Sequence, residues 1–251
     1  MSLGVIAYDE LQQHKRLFLP HGVDGAGFHN SIYRGKFLGN EVTPEQWDRI
    51  ADGTFRDMYI GDYWTINGTT YLIAAFNYYR NTGDTNLTTN HITLVPAGTM
   101  YSHRMNPSNT TEGGYAGSEM YATGLDQAKT KIHADFPGHV VTHRRYLCNA
   151  VADGQASGGA WFDSDVELMN EVMVYGSVVN GKGSQYNIGI DKVQLPLFAL
   201  RPDLIIIRPT SWWLRDVTSA THFAFANIQG LVVTYNANYA YGVRPVFSIS
   251  A

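Results

Sequence analysis

Apolar positions along this chain follow two periods, and each period predicts a different kind of element. Over residues 43–53, Trp47, Ile50 and Ala51 fall on one side of a helical repeat. Thr43 fits the N-cap, Pro44 the first helical position and Gln46 the third, which makes a capping box. Gly53 can end that helix. A second helix is predicted from about Leu125, with Leu125, Ala128 and Ile132 on one face. A third is predicted from Ser164, where Ser164 and Glu167 form another capping box ahead of Met169, Val172 and Met173, and Gly176 stands as the C′ residue.

The shorter period marks strands. Asn67-Gly68 separates two β-branched and aromatic runs, the strongest short-range hairpin signal a sequence offers. Residues 92–95 read as a strand stopped by Pro96. In the last fifty residues DLIIIRP, WWLRDV, HFAFANI, LVVTYN and YGVRPVFSIS read as strands separated by turn residues, Gln229-Gly230 among them. Residues 1–40 are irregular, with five glycines in LPHGVDGAGFHNSIYRGKFLG, and GSVVNGKGSQYNIG reads as an exposed loop. No repeat of 20–50 residues and no charge-rich linker divides the chain. The expectation is one α+β domain over residues 30–251, loop-rich and mostly antiparallel, preceded by an irregular arm over residues 1–29.

Composition agrees with a sheet-rich, ordered domain. Of 251 residues only 16% are charged, and 25 Gly and 16 Tyr take their place. The formal net charge is -4 and no basic run exceeds two residues (Lys15-Arg16, Arg144-Arg145), which argues against a nucleic-acid partner. No apolar run approaches the roughly 20 residues of a membrane span, so no membrane insertion is expected. The first thirty residues lack the apolar core of a signal peptide, so synthesis in a cytosol is expected. One cysteine, Cys148, excludes an intrachain disulfide and a cysteine-based zinc cluster, and reads as a small buried hydrophobe.

Candidate chemistry is sparse. His133, His139 and His143 cluster, with the last two four apart, but there is no HExxH and Pro137-Gly138 breaks a helix just before His139. No metal and no cofactor is expected. There is no G-x-S-x-G nucleophile elbow, and GGYAGSEM and GQASGGAW lack phosphate-loop spacing and suit tight turns. NTGDTN, residues 81–86, is oxygen-rich but lacks calcium-loop spacing and reads as a polar turn. Trp212, Trp213 and Leu214 read as core, and Arg215-Asp216 as a structural ion pair in the sheet. No enzyme is expected. The stretch TYNANYAYG stands apart. Tyr235, Asn236, Asn238, Tyr239 and Tyr241 have the composition of a binding loop, in which stiff aromatics supply area and amides supply adaptable hydrogen bonds; a polar loop with packed tyrosines is the competing reading.

Six segments carry a resemblance: NSIYRGKFLG, VTPEQWDRIADGTFRDMYIGDYWTING, MNPSNTTEGGYAGSEMY, DSDVELMNEVMVYG, DKVQLPLFAL, and the C-terminal block from WWLRDV to YGVRPVFSI. Over residues 30–249 the chain resembles minor structural proteins of phages and prophages of low-GC Gram-positive bacteria. Its C-terminal block also resembles the C-type-lectin-like fold of the formylglycine-generating enzymes and the phage tropism determinants. The resemblance implies two main helices on small twisted sheets and chain ends that meet in a sheet. It does not carry over the oxidase cysteine pair, the iron-binding histidine triad or the calcium-dependent sugar motifs: Gln194-Leu195-Pro196 departs from Q-P-D and no W-N-D occurs. It does imply a receptor-binding region just before the last strand, here residues 227–241, which adds Asn227 to the candidate residues. The function so implied is a virion surface protein acting in receptor binding or host adhesion, with a host-surface glycan or protein and other virion proteins as partners, and a trimer by analogy. The alternative is a purely structural head or tail component whose arm orders on assembly.

Overall fold

The computed structural model describes residues 25–183 and 193–251. Most of their regular structure lies in three sheets. The first has six strands in the order β1-β2-β3-β4-β13-β8: β1 (Phe37–Gly39), β2 (Tyr63–Ile66), β3 (Thr69–Phe76), β4 (Ile92–Pro96), β13 (Pro245–Ile249) and β8 (Val166–Leu168). The second runs β11-β10-β9-β12-β5: β11 (Val232–Asn236), β10 (His222–Ala226), β9 (Trp212–Val217), β12 (Ala240–Val243) and β5 (Tyr101–Arg104). The third is a two-stranded ribbon of β6 (His143–Ala152) and β7 (Gln155–Ser164). Pairing is antiparallel except between β1 and β2 and between β9 and β12. The helices are α1 (Ala26–His29), α2 (Pro44–Ala51), α3 (Asp126–Asp135), α4 (Glu171–Tyr175) and α5 (Pro196–Leu200), with a π-helical turn ahead of α3 and a 3-10 turn at Pro202–Ile205. The chain is therefore α+β, with more sheet than helix.

Local chemistry explains the elements that match expectation. The capping box of α2 is complete: the Gln46 amide donates to Thr43 Oγ1 at 3.3 Å and the Thr43 amide to Gln46 Oε1 at 3.0 Å. The same Oε1 accepts from Trp64 Nε1 at 3.0 Å, so the cap also fastens α2 to β2. Asn67 (φ 46°) and Gly68 (φ 82°) both take the left-handed conformation that a two-residue hairpin turn demands. Leu125, Ala128 and Ile132 are all buried, as the period predicts. On α2 Ile50 is buried, Ala51 is exposed, and Trp47 is half-buried with its ring stacked 3.8 Å from that of His139.

Some expectations need correction. Ser164 starts no helix; it closes β7, and β8 follows in register with β13. Ser164 and Glu167 do bond, but side chain to side chain inside the core. A cap is worth about 1 kcal/mol, whereas burying Val166 and Leu168 stabilises by about 1.5–3 kcal/mol each. The helix starts only at Glu171, where Asn170 Oδ1 accepts from the Met173 amide at 2.8 Å, and it ends, as expected, on Gly176 in the left-handed conformation. DLIIIRP is not a strand: its first residues form the 3-10 turn, and Pro209 brings no N–H to a ladder. Residues 1–24 of the expected arm lie outside the described residues; its last residues, Ala26–His29, form α1, with His29 buried and its Nδ1–H donating to the Met58 carbonyl at 2.6 Å. In the six-stranded sheet β2, β3 and β4 stand between β1 and β13; the N-terminal chain end, expected to meet the C-terminal strand, lies outside the described residues. The loop expected over residues 176–189 is irregular and mostly exposed over 177–183; residues 184–189 lie outside the described residues.

Alternation in β9 and β10 gives the five-stranded sheet two buried faces. Trp212, Leu214, Ala224 and Ala226 join the main core with the six-stranded sheet, and Trp213, Val217, Phe223 and Phe225 join a second core with Leu125, Leu147 and Leu168. YGVRPVFSIS, expected as one strand, is two: Arg244 sits where the chain leaves β12 of one sheet for β13 of the other, and it is fully buried. Its Nε donates to the Pro96 carbonyl at 2.9 Å and its Nη1 to the Leu204 carbonyl at 2.9 Å. Its guanidinium lies 5.0 Å from the Trp212 ring and 5.2 Å from that of Phe198. Replacing Arg244 by Met keeps most of the volume but takes the donor from the buried Pro96 carbonyl and the part-buried Leu204 carbonyl, and should destabilise the fold by about 2–4 kcal/mol; urea denaturation checks this.

His91 is a second buried polar anchor. Its Nε2 accepts from the Tyr79 amide at 3.0 Å while Nδ1–H donates to the Thr89 carbonyl at 3.0 Å, so the fold needs the neutral ring. Burial pulls its pKa down from 6.5 to about 4, against a smaller upward pull from the Thr89 hydrogen bond. Because the folded pKa lies below the unfolded one, this contribution is fully present above pH 6.5 and is lost as pH falls toward 4. Wild type should lose about 3 kcal/mol more than a His91→Gln variant between pH 7.5 and pH 4, read from urea midpoints at both pH values.

Candidate binding surface

The three candidate tyrosines converge. Tyr235 leaves β11 and Tyr241 leaves β12 on the same face of the five-stranded sheet, and Tyr239 belongs to the turn between those strands. The rings of Tyr235 and Tyr239 are 5.0 Å apart, those of Tyr239 and Tyr241 4.8 Å, and those of Tyr235 and Tyr241 5.7 Å. Tyr241 stacks on Phe225 at 4.3 Å and meets Trp213 edge-on at 5.0 Å, so the cluster rises directly from the second core. Trp213 is held in turn by its Nε1–H, which donates to the His103 carbonyl at 2.9 Å. Exposure grows outward: Trp213 is fully buried, Tyr241 half-buried, and Tyr235 and Tyr239 are 41% and 49% exposed. Burial, with the two neighbouring phenols, raises the Tyr241 hydroxyl above its ordinary pKa, so that hydroxyl stays protonated at neutral pH. The result is an anchored aromatic surface with rings fixed before any ligand arrives.

The asparagines do not join it as a group. Asn227 lies at the far end of the β10–β11 hairpin, where its Oδ1 accepts from the Gln229 and Leu231 amides at 2.9 and 3.0 Å and holds the turn whose Gly230 has φ 82°. Asn236 pairs with His222 across the ladder and shares the opposite face of β11 with Thr234. Asn238 is exposed in the same turn as Tyr239. Period-2 alternation along β11 puts Tyr235 and Asn236 on opposite faces of the sheet.

Each residue considered for catalysis or metal binding has a structural occupation. His133 Nε2 pairs with Asp165 at 2.7 Å, and His139 donates from Nδ1 to the Ser250 carbonyl at 2.7 Å beneath Trp47. His143 is buried, its ring 4.0 Å from that of Tyr79. Among the described residues no group of three or more His, Cys, Asp or Glu side chains is arranged to hold a metal ion. In NTGDTN the Asp84 carboxylate is gripped by Arg144 at 2.7 and 2.9 Å, which holds it below its usual pKa and leaves the segment a polar turn. Burial raises the Cys148 thiol, the opposite of nucleophilic activation. Ser219 and His222 do touch, Oγ to Nδ1 at 3.0 Å, but the same Oγ accepts the Thr221 and His222 amides and closes its own turn. Arg215 and Asp216 are each tied to the β8–α4 segment, Arg215 to the Leu168 carbonyl and Asp216 to the Glu171 amide.

Three features escaped the sequence reading. The ribbon turns on Asp153-Gly154, both at positive φ, a hairpin signal present in the sequence between two ten-residue runs. A cleft of about 890 Å³ opens between α3 and the β4–β5 connection, formed by segments distant in sequence and marked by no local motif. The carboxylate of Glu171, fully buried, accepts the amides of Val179, Asn180 and Gly181 at 2.6–3.1 Å and so fastens the loop after α4. Glu171→Gln should raise amide exchange at 179–181 by about tenfold or more while leaving the central strands protected, as read by hydrogen-exchange NMR.

No family model, no curated protein and no solved structure matches the chain. No helix among the described residues is long and apolar enough to cross a membrane.

Proposed function

We propose that this protein is a surface component of a phage or prophage particle, a C-type-lectin-like domain that attaches the particle to its host through Tyr235, Tyr239 and Tyr241. The observation that carries this reading is the anchored aromatic cluster, with two tyrosines about half exposed on a sheet packed on both faces. Rigid amphipathic rings on a stiff scaffold lose little entropy on binding and suit a glycan or protein surface. The resemblance of residues 30–249 to phage structural proteins supplies the setting: a virion location, other virion proteins as neighbours and a host-surface glycan or protein as ligand. No catalytic role is proposed for this surface.

Labelled protein should bind saturably to Gram-positive host cells. A Tyr235→Ala/Tyr239→Ala variant should lose at least about 2 kcal/mol of binding, roughly thirtyfold, with a melting temperature within about 4 °C of wild type. Equal binding by the folded variant would instead favour the structural reading, a head or tail component with no ligand of its own.

A further inference from the structure

The cleft beside α3 lies apart from the tyrosine surface; none of the three tyrosines lines it. One wall is the exposed face of α3, where Gln127, Thr130 and Ala134 follow one another at helical spacing, opposite the face that enters the core. The other wall is the start of β3 at Thr69 and Thr70, and the floor is the connection from Pro96 to Met100. The space is open because residues 96–98 are Pro, Ala and Gly and the end of α3 offers only Ala134. Its volume, about 890 Å³, falls within the range of about 300–1,000 Å³ typical of small-molecule sites.

The chemistry of the lining is specific. Asp126, Gln127, Thr130 and Thr99 carry a carboxylate, an amide and two hydroxyls, and none of these side chains bonds to another group among the described residues. Lys131 is different: its ammonium is held by Asp135, whose carboxylate also accepts from Tyr71 and Asn67. An anion would therefore meet Asp126 with no free cation among the lining residues to offset it. Tyr101 forms part of the floor with its ring locked, its hydroxyl donating to the Gly124 carbonyl at 2.6 Å and accepting from the Ala128 amide at 3.3 Å. A fixed ring and apolar Pro96, Met100 and Ala134 lie here beside solvent-facing donors and acceptors. That pattern matches a molecule with C–H faces and many hydroxyls. We propose that the cleft binds a neutral oligosaccharide, with Gln127 and Asp126 pairing with adjacent hydroxyls and Tyr101 beneath a sugar ring.

The proposal goes beyond the attachment surface and is tested apart from it. Maltotriose, cellotriose and triacetylchitotriose are titrated into the full chain and followed by saturation-transfer NMR and calorimetry. At least one should bind. Ala134→Trp, at an exposed helix position, should fill the cleft and abolish saturation transfer, and Gln127→Ala should weaken binding about three- to tenfold. The Tyr235→Ala/Tyr239→Ala variant should bind the sugar as wild type does. Binding of none of the three sugars, or binding that survives Ala134→Trp in a folded protein, overturns the proposal. Loss in the tyrosine variant alone also overturns it, since the sugar would then sit on the attachment surface.

Discussion

The two main sheets are joined at Arg244. A guanidinium taken wholly out of water loses its hydration, and no carboxylate among the described residues accompanies it. The fold compensates with two carbonyls and two aromatic faces, and these come from different places: Pro96 ends β4, Leu204 lies in the 3-10 turn, Trp212 opens β9 and Phe198 belongs to α5. One side chain thus requires the end of the six-stranded sheet, the start of a central strand of the five-stranded sheet and the helical segment between α4 and β9 to be in place together. The crossing from β4 to β5 occurs at the same spot, through Pro96, so two of the passages between the sheets, β4 to β5 and β12 to β13, meet at this interaction.

That junction also frames the surfaces given functional readings. With β9 buried on both faces, Trp213 is rigid, and the tyrosines above it inherit that rigidity through Phe225 and Tyr241. The cleft lies along the β4–β5 passage itself, where small residues leave space beside α3. Both surfaces are therefore held by backbone that the core fixes, the condition under which a binding group keeps its geometry without a ligand. The loop after α4 is fixed by another means: a buried carboxylate replaces the ladder that an irregular segment lacks.

What was legible along the chain was local and short-ranged. The capping box at Thr43 and Gln46, the Asn67-Gly68 hairpin, the buried face of α3 and the strands WWLRDV, HFAFANI and LVVTYN follow from chemistry within a few residues, and the structure contains them. The convergence of Tyr235, Tyr239 and Tyr241 was legible because strand, turn and strand are contiguous. Ser164 shows the limit. Its cap signal was real enough to form a hydrogen bond with Glu167, yet β13, eighty residues away, offered Val166 and Leu168 a ladder and full burial.

By itself the sequence determined the α+β class, the mostly antiparallel sheets, a core built on the C-terminal strands, and a tyrosine-rich segment before the last strand, because each is written in periodicity, turn chemistry and composition. Only the tertiary structure decided that Asn227 and Asn236 stand away from the tyrosines, that Asp84, His133 and His139 are taken by structural partners, and that a cleft opens beside α3. The physical reason is the same in each case. Those outcomes depend on which strand pairs with which and on side chains meeting across tens of residues, and such long-range choices are made by packing and register, which no local pattern specifies.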